Sequence, residues 1–338
     1  MTENNDNESA KTRINISRGG LRRVSNAEGH INIINPENPF PVKGERLRYS
    51  LSNKLLGRLE GLTKIEFKHL GPFVEKHKIG IDSIEAILNI AQSVQASSKI
   101  EGEEISVKRL ELYLNAVTRE ETPFKGKRLD RGEKAFKSIN ETYKWALKRD
   151  SRTIISVDFI LETHRRMFKS SLPDIAGVLK NKKVIIEWED GAGYKVETLS
   201  HTKVKEVLNA LCERTNNRLA AAESQAEYST FLTIAEFIID FLAIHPFTDG
   251  NGRTARLLST YLIERCGFHF ARFYALDNII FETRKEYYQA LYAAQKNWYQ
   301  EKEDLSLWID YYIKAIFSQA RRALQRARDQ YGIEHKAK

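Results

Sequence analysis

Cysteine is scarce in this chain of 338 residues, and the only two, Cys212 and Cys266, stand far apart. They show neither CxxC spacing nor a partner histidine pattern, so neither a disulfide framework nor a zinc site is predicted. No stretch approaches the roughly 18 apolar residues that span a bilayer, and the polar N-terminus lacks the apolar segment of a secretory signal. We therefore expect a soluble, cytoplasmic protein that does not enter the membrane.

Positive charge exceeds negative charge, and the net charge of +9 prompts the hypothesis of a nucleic-acid-binding regulator, because clustered Lys and Arg release counterions from phosphate backbones. The positive residues are scattered, however, among 45 acidic ones. Local clusters occur at Lys11–Arg23 and Arg321–Arg328. Such clusters are typical of a solvated helix face or a loose tail, so nucleic-acid binding stays an alternative that the pattern does not favour.

Hydrophobic residues make up 41% of the chain, enough for a substantial core, and apolar spacings of three and four dominate from Leu51 onward. The segment Tyr228–Ile244 is apolar on nearly every side, which predicts a helix surrounded by others. Ser156 is a predicted N-cap. The predicted inward-facing positions of four further helices are Ile84, Ile87, Leu88, Ala91 and Val94; Ala135, Phe136, Ile139, Tyr143 and Ala146; Val204, Val207, Leu208 and Leu211; and Leu307, Trp308, Tyr311 and Tyr312.

Two regions depart from helical patterning. Lys183–Trp188 and Tyr194–Thr198 are short β-prone segments around a glycine-containing turn, which predicts a hairpin. Residues 1–45 are rich in Asn, Gly, Ser and charge, which predicts a flexible tail. The predicted fold class is mainly α, a helical bundle with one small β-hairpin.

The segment His245–Arg256 combines turn and helix signals. Pro246 cannot continue the buried helix that ends before it, so the chain turns there. Asp249-Gly-Asn-Gly252 supplies two glycines that tolerate unusual backbone angles, and Arg253–Arg265 has helical composition. A glycine-rich turn that opens a helix offers unpaired N–H groups and the positive end of the helix dipole, which predicts an anion site.

Four side chains of this segment have chemical uses beside a bound polyphosphate. Arg253 and Arg256, three apart on the new helix, can bind phosphates through fork-shaped hydrogen bonds. Asp249 can ligate Mg²⁺ together with phosphate oxygens, and His245 can accept a proton from an attacking hydroxyl. Taken singly, a structural histidine and a simple turn are the alternatives, but the coincidence of these residues within twelve positions favours a nucleotide or phosphate site. A metal cage on His245 and Asp249 is not favoured, because Pro246 spoils helical spacing and no third ligand is near.

The stretch HPFTDGNGRTAR, residues 245–256, resembles the Fic-family signature HxFx(D/E)GNGRxxR at every defined position. Further stretches resemble the family in chain order, namely Leu55–Glu60, Ala96–Gly102, Glu162–Phe168, Tyr287–Leu291 and Trp308–Tyr312. The resemblance covers roughly residues 50–320. It implies a Fic-type helical bundle with five parts: a tail at 1–45, an N-terminal helical region with an inhibitory motif at 46–150, a catalytic core at 151–270, closing helices at 271–325 and a basic tail at 326–338.

The resemblance implies a protein adenylyltransferase, which transfers AMP from ATP to a Ser, Thr or Tyr hydroxyl of a protein substrate or of the chain itself. His245 would be the general base, Asp249 the Mg²⁺ ligand and Gly250–Gly252 the cradle of the transferred phosphate, and Arg253 and Arg256 would hold the outer phosphates. The hairpin would be a flap over the nucleotide, and a homodimer is a further implication. The implied ATP-binding residues are Asp249, Gly250, Asn251, Gly252, Arg253, Thr254, Ala255, Arg256, Tyr287, Tyr288, Gln295, Val184, Ile185 and Ile186. The chain departs from the family pattern at Gln295, where Asn is more usual, and at Val178-Leu-Lys180, which replaces an aromatic-Arg pair.

The stretch Ser97-Ser-Lys-Ile-Glu-Gly102 resembles the inhibitory (S/T)xxxE(G/N) motif of Fic proteins. It implies that Ser97 and Glu101 belong to an internal brake, in which Glu101 pairs with Arg256 and keeps it from the γ-phosphate. The alternative is that Glu101 is a solvated residue at a helix end. Two other activities of the fold stay open: removal of AMP from a modified protein, and a Doc-like kinase, which the intact Gly250-Asn-Gly-Arg253 does not favour.

Overall fold

The computed structural model describes residues 12–17, 20–21, 30–34, 48–102, 113, 115, 131–149, 154–188, 194–225, 227–296, 298 and 303–331. Most of them are helical, so the prediction of a mainly α fold is confirmed. The helices are α1 Asn53–Ile65, α2 Gly71–His77, α3 Ile84–Ile100, α4 Arg131–Leu147, α5 Val157–Phe168, α6 Val204–Gln225, α7 Glu227–Ile244, α8 Asn251–Arg265, α9 Leu276–Glu282, α10 Arg284–Gln295 and α11 Ser306–Tyr331. A π-helical turn, Glu66–Leu70, joins α1 to α2, and 3-10 turns cover His201–Lys203 and His269–Arg272.

Six strands accompany the helices in the described part. They are β1 Thr12–Ser17, β2 Gly20–Leu21, β3 His30–Ile34, β4 Leu51–Ser52, β5 Ile185–Trp188 and β6 Tyr194–Glu197. The strands β5 and β6 pair antiparallel, with Ile186 opposite Val196, which confirms the predicted hairpin. The other four form a sheet in the order β2-β1-β3-β4, in which β1 and β3 run parallel. The boundaries proposed for the five parts of the chain stay predictions.

Helix starts follow local capping signals. The Ser156 hydroxyl accepts the Phe159 N–H at 3.1 Å and caps α5, as the sequence predicted. Ser83 caps α3 in the same way through the Ala86 N–H at 3.2 Å. Each cap satisfies one of the N–H groups that a helix leaves without an internal partner.

The core-facing stripe of α4 is confirmed, but the stripe predicted for α3 is wrong at its start. Ile84 is 42% exposed, and the buried face of α3 instead carries Asn89, Ser93 and Ser97 among its apolar residues. Those polar side chains bond to partners in the interior. The apolar residues alone therefore indicate a face of α3 that differs from the face that is buried. Leu307 is likewise 53% exposed, on the side of α11 away from the core, so its predicted inward position is wrong.

The helix α7 lies in the centre of the bundle, as its apolar surface predicted, yet it buries two carboxylates. Arg48, just ahead of β4, binds Asp240 with both terminal nitrogens, at 2.8 and 2.5 Å. Arg214 also pairs with Asp240, and Arg218 donates to Glu236 at 2.7 Å. Burial opposes the charge on Asp240, but Arg48 and Arg214 hold its pKa well below the ordinary value.

The basic cluster of the last helix is engaged within the protein. Arg322 binds both oxygens of Glu282 at 2.7 Å, and Arg326 donates to the Phe273 carbonyl at 2.9 Å. Two arginines of the cluster thus bind within the fold, and nucleic-acid binding stays an alternative. A search of the described helices finds none that combines the length and the hydropathy required to cross a membrane.

Candidate active site

A strained loop connects α7 to α8. His245 follows the last residue of α7 with φ of 50°, a left-handed conformation that few residues other than glycine adopt. Gly250 has φ of 80° and precedes the first residue of α8, where glycine avoids the clash of a side chain. The predicted glycine turn at the start of a helix is therefore present, with its first N–H groups at the amino end of α8.

Two side chains of the signature hold this loop closed. The Asn251 carboxamide accepts the Phe247 N–H at 3.0 Å and donates to the Phe247 carbonyl at 2.9 Å. The Thr254 hydroxyl donates to the Gly250 carbonyl at 2.8 Å. Ala255 is fully buried. The side chains of Asn251, Thr254 and Ala255 thus face the protein interior. A ligand at this loop would therefore contact backbone groups rather than these side chains.

His164 of α5 fixes the same loop from below. Its Nδ1 accepts the Gly177 N–H at 2.9 Å, so the ring proton must sit on Nε2, which bonds to the Asp249 carbonyl at 3.0 Å. The ring stacks on Phe247 with centroids 3.7 Å apart, and burial lowers the pKa of His164 to about 4. Sequence reasoning quoted the stretch around His164 but assigned this residue no role.

The orientation of the His245 ring leaves Nε2 unprotonated, with a lone pair that can accept a proton. Nδ1 lies 3.4 Å from the Leu242 carbonyl, and since a carbonyl only accepts, the ring proton belongs on Nδ1. Nε2 is then the basic nitrogen. Burial and the positive charge of Lys180 lower the pKa of His245 to about 4, against the opposite effects of the Leu242 carbonyl and Glu101, so the ring is neutral at pH 7.

His245 lines an open cleft of about 1770 Å³, a volume that includes the solvent at its mouth. Of the residues predicted to form the site, the cleft brings together Glu101, Ile186, His245, Gly252, Arg256, Tyr287, Tyr288 and Gln295. Its lining also includes residues to which the sequence analysis gave no site role, namely Lys99, Ile100, Gly102, Leu242, Arg284, Lys285 and Leu291. Three of these are cationic, so the mouth of the cleft suits an anionic ligand.

Arg256 is the buried cation of the cleft. Its Nη2 donates to the Glu101 carboxylate at 2.7 Å and to the Ser97 carbonyl at 3.1 Å, and its Nε donates to the Ser97 hydroxyl at 2.8 Å. Nε also lies 3.2 Å from Asp277 of α9, a carboxylate with no exposure that accepts the Ser93 hydroxyl. Burial opposes the charge on Arg256, but Glu101 and Asp277 raise its pKa above the ordinary value. Sequence reasoning missed Asp277, since it lies outside every motif.

The Glu101 carboxylate lies directly against the first turn of α8. A Cβ atom at Gly252 would overlap a Glu101 oxygen, so a larger residue here would have to displace the Glu101 side chain. Glu101 lies at the end of α3 with its side chain 32% exposed, and its carboxylate pairs with Arg256. A carboxylate of the chain itself thus lies beside the first turn of α8.

Other predicted residues stand apart from the cleft. Arg253 is 4% exposed and lies over the Phe168 ring at 4.6 Å, with Nη2 3.9 Å from Asp249. Ile185 is 51% exposed, on the strand face opposite to that of Ile186. Among the described residues that line the cleft, neither Val184 nor Ile185 is present.

Asp249 carries the predicted metal role. Its side chain is 56% exposed, and one oxygen accepts the Gly250 N–H at 2.5 Å. The described residues contain no group of three or more His, Cys, Asp or Glu that could hold a metal ion. A single carboxylate still fits Mg²⁺, because this ion commonly binds one or two carboxylates and takes its other ligands from phosphates and water.

The far end of the cleft is lined by α10. Tyr287 is buried, and the Tyr288 hydroxyl donates to the Ile100 carbonyl at 3.1 Å, close to the end of α3. Gln295 is 1% exposed, and its Oε1 has no hydrogen-bond partner among the described residues. A buried amide oxygen of this kind favours a ligand that brings an N–H donor.

The comparisons with known proteins agree with this geometry. Residues 154–263 match the sequence model of the Fic/DOC family. The chain is 34% identical over 142 residues to the protein adenylyltransferase fic-1 of Caenorhabditis briggsae, and the alignment covers 41% of this chain and 24% of that protein. The chain thus spans about a quarter of the curated relative's length.

Solved structures share the fold. A Fic family protein from Desulfovibrio desulfuricans G20 superposes with a TM-score of 0.62 at 18% identity, over 84% of this chain and 78% of that one. Fic-1 from Caenorhabditis elegans superposes with a TM-score of 0.58 at 21% identity, over 82% and 74%. Fold and site together define a helical domain with a glycine-containing loop at a helix start and a histidine at its cleft. Residues 154–263 thus match the Fic/DOC family, and the fold is that of solved Fic family proteins.

Proposed function

We propose that the protein transfers AMP from ATP to a hydroxyl group of a protein. The observation that carries this proposal is that His245, Arg256 and the first turn of α8 meet in one cleft, which combines a neutral base with a buried cation and helix N–H groups. These are the groups that attack on a polyphosphate requires: a proton acceptor and stabilisation of phosphate charge. The relatives named as protein adenylyltransferases support the same activity.

In the proposed reaction, the hydroxyl of a Ser, Thr or Tyr of the target attacks the α-phosphorus of ATP. A new P–O bond forms to the target oxygen, the bond between the α-phosphorus and the bridging oxygen breaks, and pyrophosphate leaves. His245 Nε2 accepts the hydroxyl proton, and the backbone N–H groups of Gly250–Gly252 hold the transferred phosphate. Positioning and charge stabilisation supply most of the acceleration.

Most of the remaining binding roles follow from the lining of the cleft, and that of Asp249 follows from its position in the loop before α8. Arg256 would bind the outer phosphates, and Tyr287, Tyr288 and Gln295 the adenosine. Ile186 of the hairpin would cover the nucleotide. Asp249 would hold Mg²⁺, which neutralises charge on the phosphates and the leaving pyrophosphate when bound. The roles assigned to Arg253, Thr254, Ala255, Val184 and Ile185 stay predictions.

We further propose that the protein is autoinhibited by Glu101. The contact between Glu101 and Arg256, with Ser97 on the same guanidinium, supports this role, because an arginine bound to an internal carboxylate is not available to the γ-phosphate. The position of Glu101 against Gly252 adds that its carboxylate competes for the anion site itself. Release of Glu101 would then be required for productive binding of ATP.

The test is incubation of three proteins with Mg²⁺ and ATP labelled at the α-phosphate, alone and in lysate, followed by intact-mass measurement. They are the parent, Glu101→Gly and Glu101→Gly/His245→Ala. We expect label and the mass of one AMP with the single variant, on the protein itself or on a lysate protein, and neither with the double variant. Transfer of label from γ-labelled ATP alone would instead identify a kinase. Loss of AMP from an AMP-modified protein would identify the reverse activity.

Three further expectations accompany this proposal: a cytoplasmic location, a homodimer and modification of the chain itself. The intact mass of the purified Glu101→Gly protein reports self-modification directly. Light scattering of the same sample reports the oligomeric state.

A further inference from the structure

We propose that Lys180 is a positioning residue that ties the β5–β6 hairpin to the backbone on both sides of His245. This inference rests on the proposed function in assigning His245 the role of base. Lys180 lies at the position where the family resemblance would place an arginine, and no role was predicted for it from the sequence. Its side chain is only 3% exposed.

The contacts toward His245 involve both neighbouring residues. The Lys180 ammonium donates to the Ile244 carbonyl at 3.0 Å, and the Lys180 N–H donates to the Pro246 carbonyl at 2.9 Å. His245, between them, has the positive φ that a non-glycine residue adopts only when its surroundings impose it. Lys180 therefore holds the peptide groups that set the direction of the His245 side chain.

The same Lys180 ammonium also contacts the hairpin. Lys180 donates to the Thr198 hydroxyl at 2.7 Å, immediately after β6. Thr198 in turn donates to the Val184 carbonyl, immediately before β5, through its hydroxyl at 2.7 Å and its N–H at 3.2 Å. The base of the hairpin and the His245 loop thus share one buried donor, so displacement of either one strains the other.

The charge of Lys180 acts on His245 as well. Two ionisable groups affect the ring from the surrounding elements: Lys180 lowers the pKa of His245, and Glu101 at the end of α3 acts in the opposite direction. Burial lowers the pKa of Lys180 itself to about 8, so the side chain is still largely protonated at neutral pH. Its ammonium donates to the Thr198 hydroxyl and the Ile244 carbonyl. Lys180 therefore favours the neutral, proton-accepting form of His245 in addition to fixing its place.

Amide hydrogen exchange on the whole 338-residue chain tests this coupling without reference to activity. Lys180→Met is expected to speed exchange in peptides that contain Thr198 and in peptides that contain His245, whereas Lys180→Arg leaves both close to the parent. Thr198→Val, which removes only the hairpin side, is expected to affect the first set alone. Lys183→Met is the matched control, because Lys183 is an exposed lysine of the same segment that pairs only with Glu197 in the described contacts.

A kinetic arm in the Glu101→Gly background separates positioning from folding. Lys180→Met is expected to lower kcat by about tenfold with the KM for ATP changed less than about twofold, and Lys180→Arg to recover most of the loss. Unchanged exchange around His245 in Lys180→Met, equal acceleration in Lys183→Met, or a loss confined to KM would overturn the inference. If Glu101→Gly transfers no AMP, the proposed function fails, while the exchange measurement still decides the coupling.

Discussion

Replacement of Glu101 by glutamine removes the negative charge of the side chain but nearly keeps its size and shape. Glutamine can still accept a hydrogen bond from Arg256 at the same 2.7 Å position, but the bond becomes one between a cation and a neutral acceptor. A hydrogen bond to a charged group contributes about 1.5–3 kcal/mol and a neutral one about 0.5–1.5 kcal/mol. The difference of about 1.5 kcal/mol shifts the equilibrium toward disengaged Glu101 by about tenfold. Partial exposure of the carboxylate keeps the effect near this value rather than above it.

The measurement is the initial rate of AMP transfer at subsaturating ATP, with Glu101→Gln compared with the parent and with Glu101→Gly. We expect about tenfold activation by glutamine and a larger one by glycine, which also clears the space over Gly252. Glu75→Gln, on the exposed side of α2, is the matched control and should leave the rate unchanged. Equal rates for the parent and Glu101→Gln, with activation by glycine alone, would show that occupancy and not charge is responsible.

Three further outcomes follow from the site. If His245 is the proposed base, it acts in its neutral form, and because its pKa is lowered to about 4, kcat/KM should stay level as the pH falls from 7.5 to about 5.5; an acidic limb near the ordinary value of about 6.5 would contradict this environment. Asn251→Ala leaves the Phe247 N–H and carbonyl unsatisfied and should lower the free energy of unfolding by about 2–4 kcal/mol in urea titrations, whereas an unchanged midpoint would refute the closure of the loop. Asp249→Asn should raise the Mg²⁺ concentration for half-maximal transfer, and an identical Mg²⁺ titration would remove Asp249 from the metal site.

The turn and helix start of residues 245–256 could be predicted because the information for them is local. Pro246 and the two glycines of this segment mark the turn, and the helix follows directly, whereas the anion site stays a proposal. The N-cap at Ser156 and the β5–β6 hairpin were predictable for the same reason. In each case neighbouring residues in the chain determine the backbone, and tertiary packing only confirms it.

The residues that sequence reasoning missed act across long separations. The site is contacted by His164 from α5, by Lys180 from the segment before β5 and by Asp277 from α9. The spacing of residues in the chain does not predict these contacts. The misplaced stripe of α3 has a related cause, because its buried face includes Ser93 and Ser97, whose hydroxyl groups bond to Asp277 and Arg256. Polar residues count as surface in a hydrophobic pattern, but their place in a fold depends on partners that the pattern does not contain.

The contact of Arg48 with Asp240 bears on where the protein can be cut. Helical periodicity starts at Leu51, and a shortened chain from that residue would keep every described helix. It would, however, leave Asp240 in the centre of the bundle without the arginine that binds both its oxygens. Arg214 and Trp298 would still bind Asp240, so the cost falls below the value of about 3–5 kcal/mol that follows when a buried charge loses its sole partner. A fragment made for expression or crystallisation should therefore begin ahead of Arg48, even though the residues there look dispensable from the sequence.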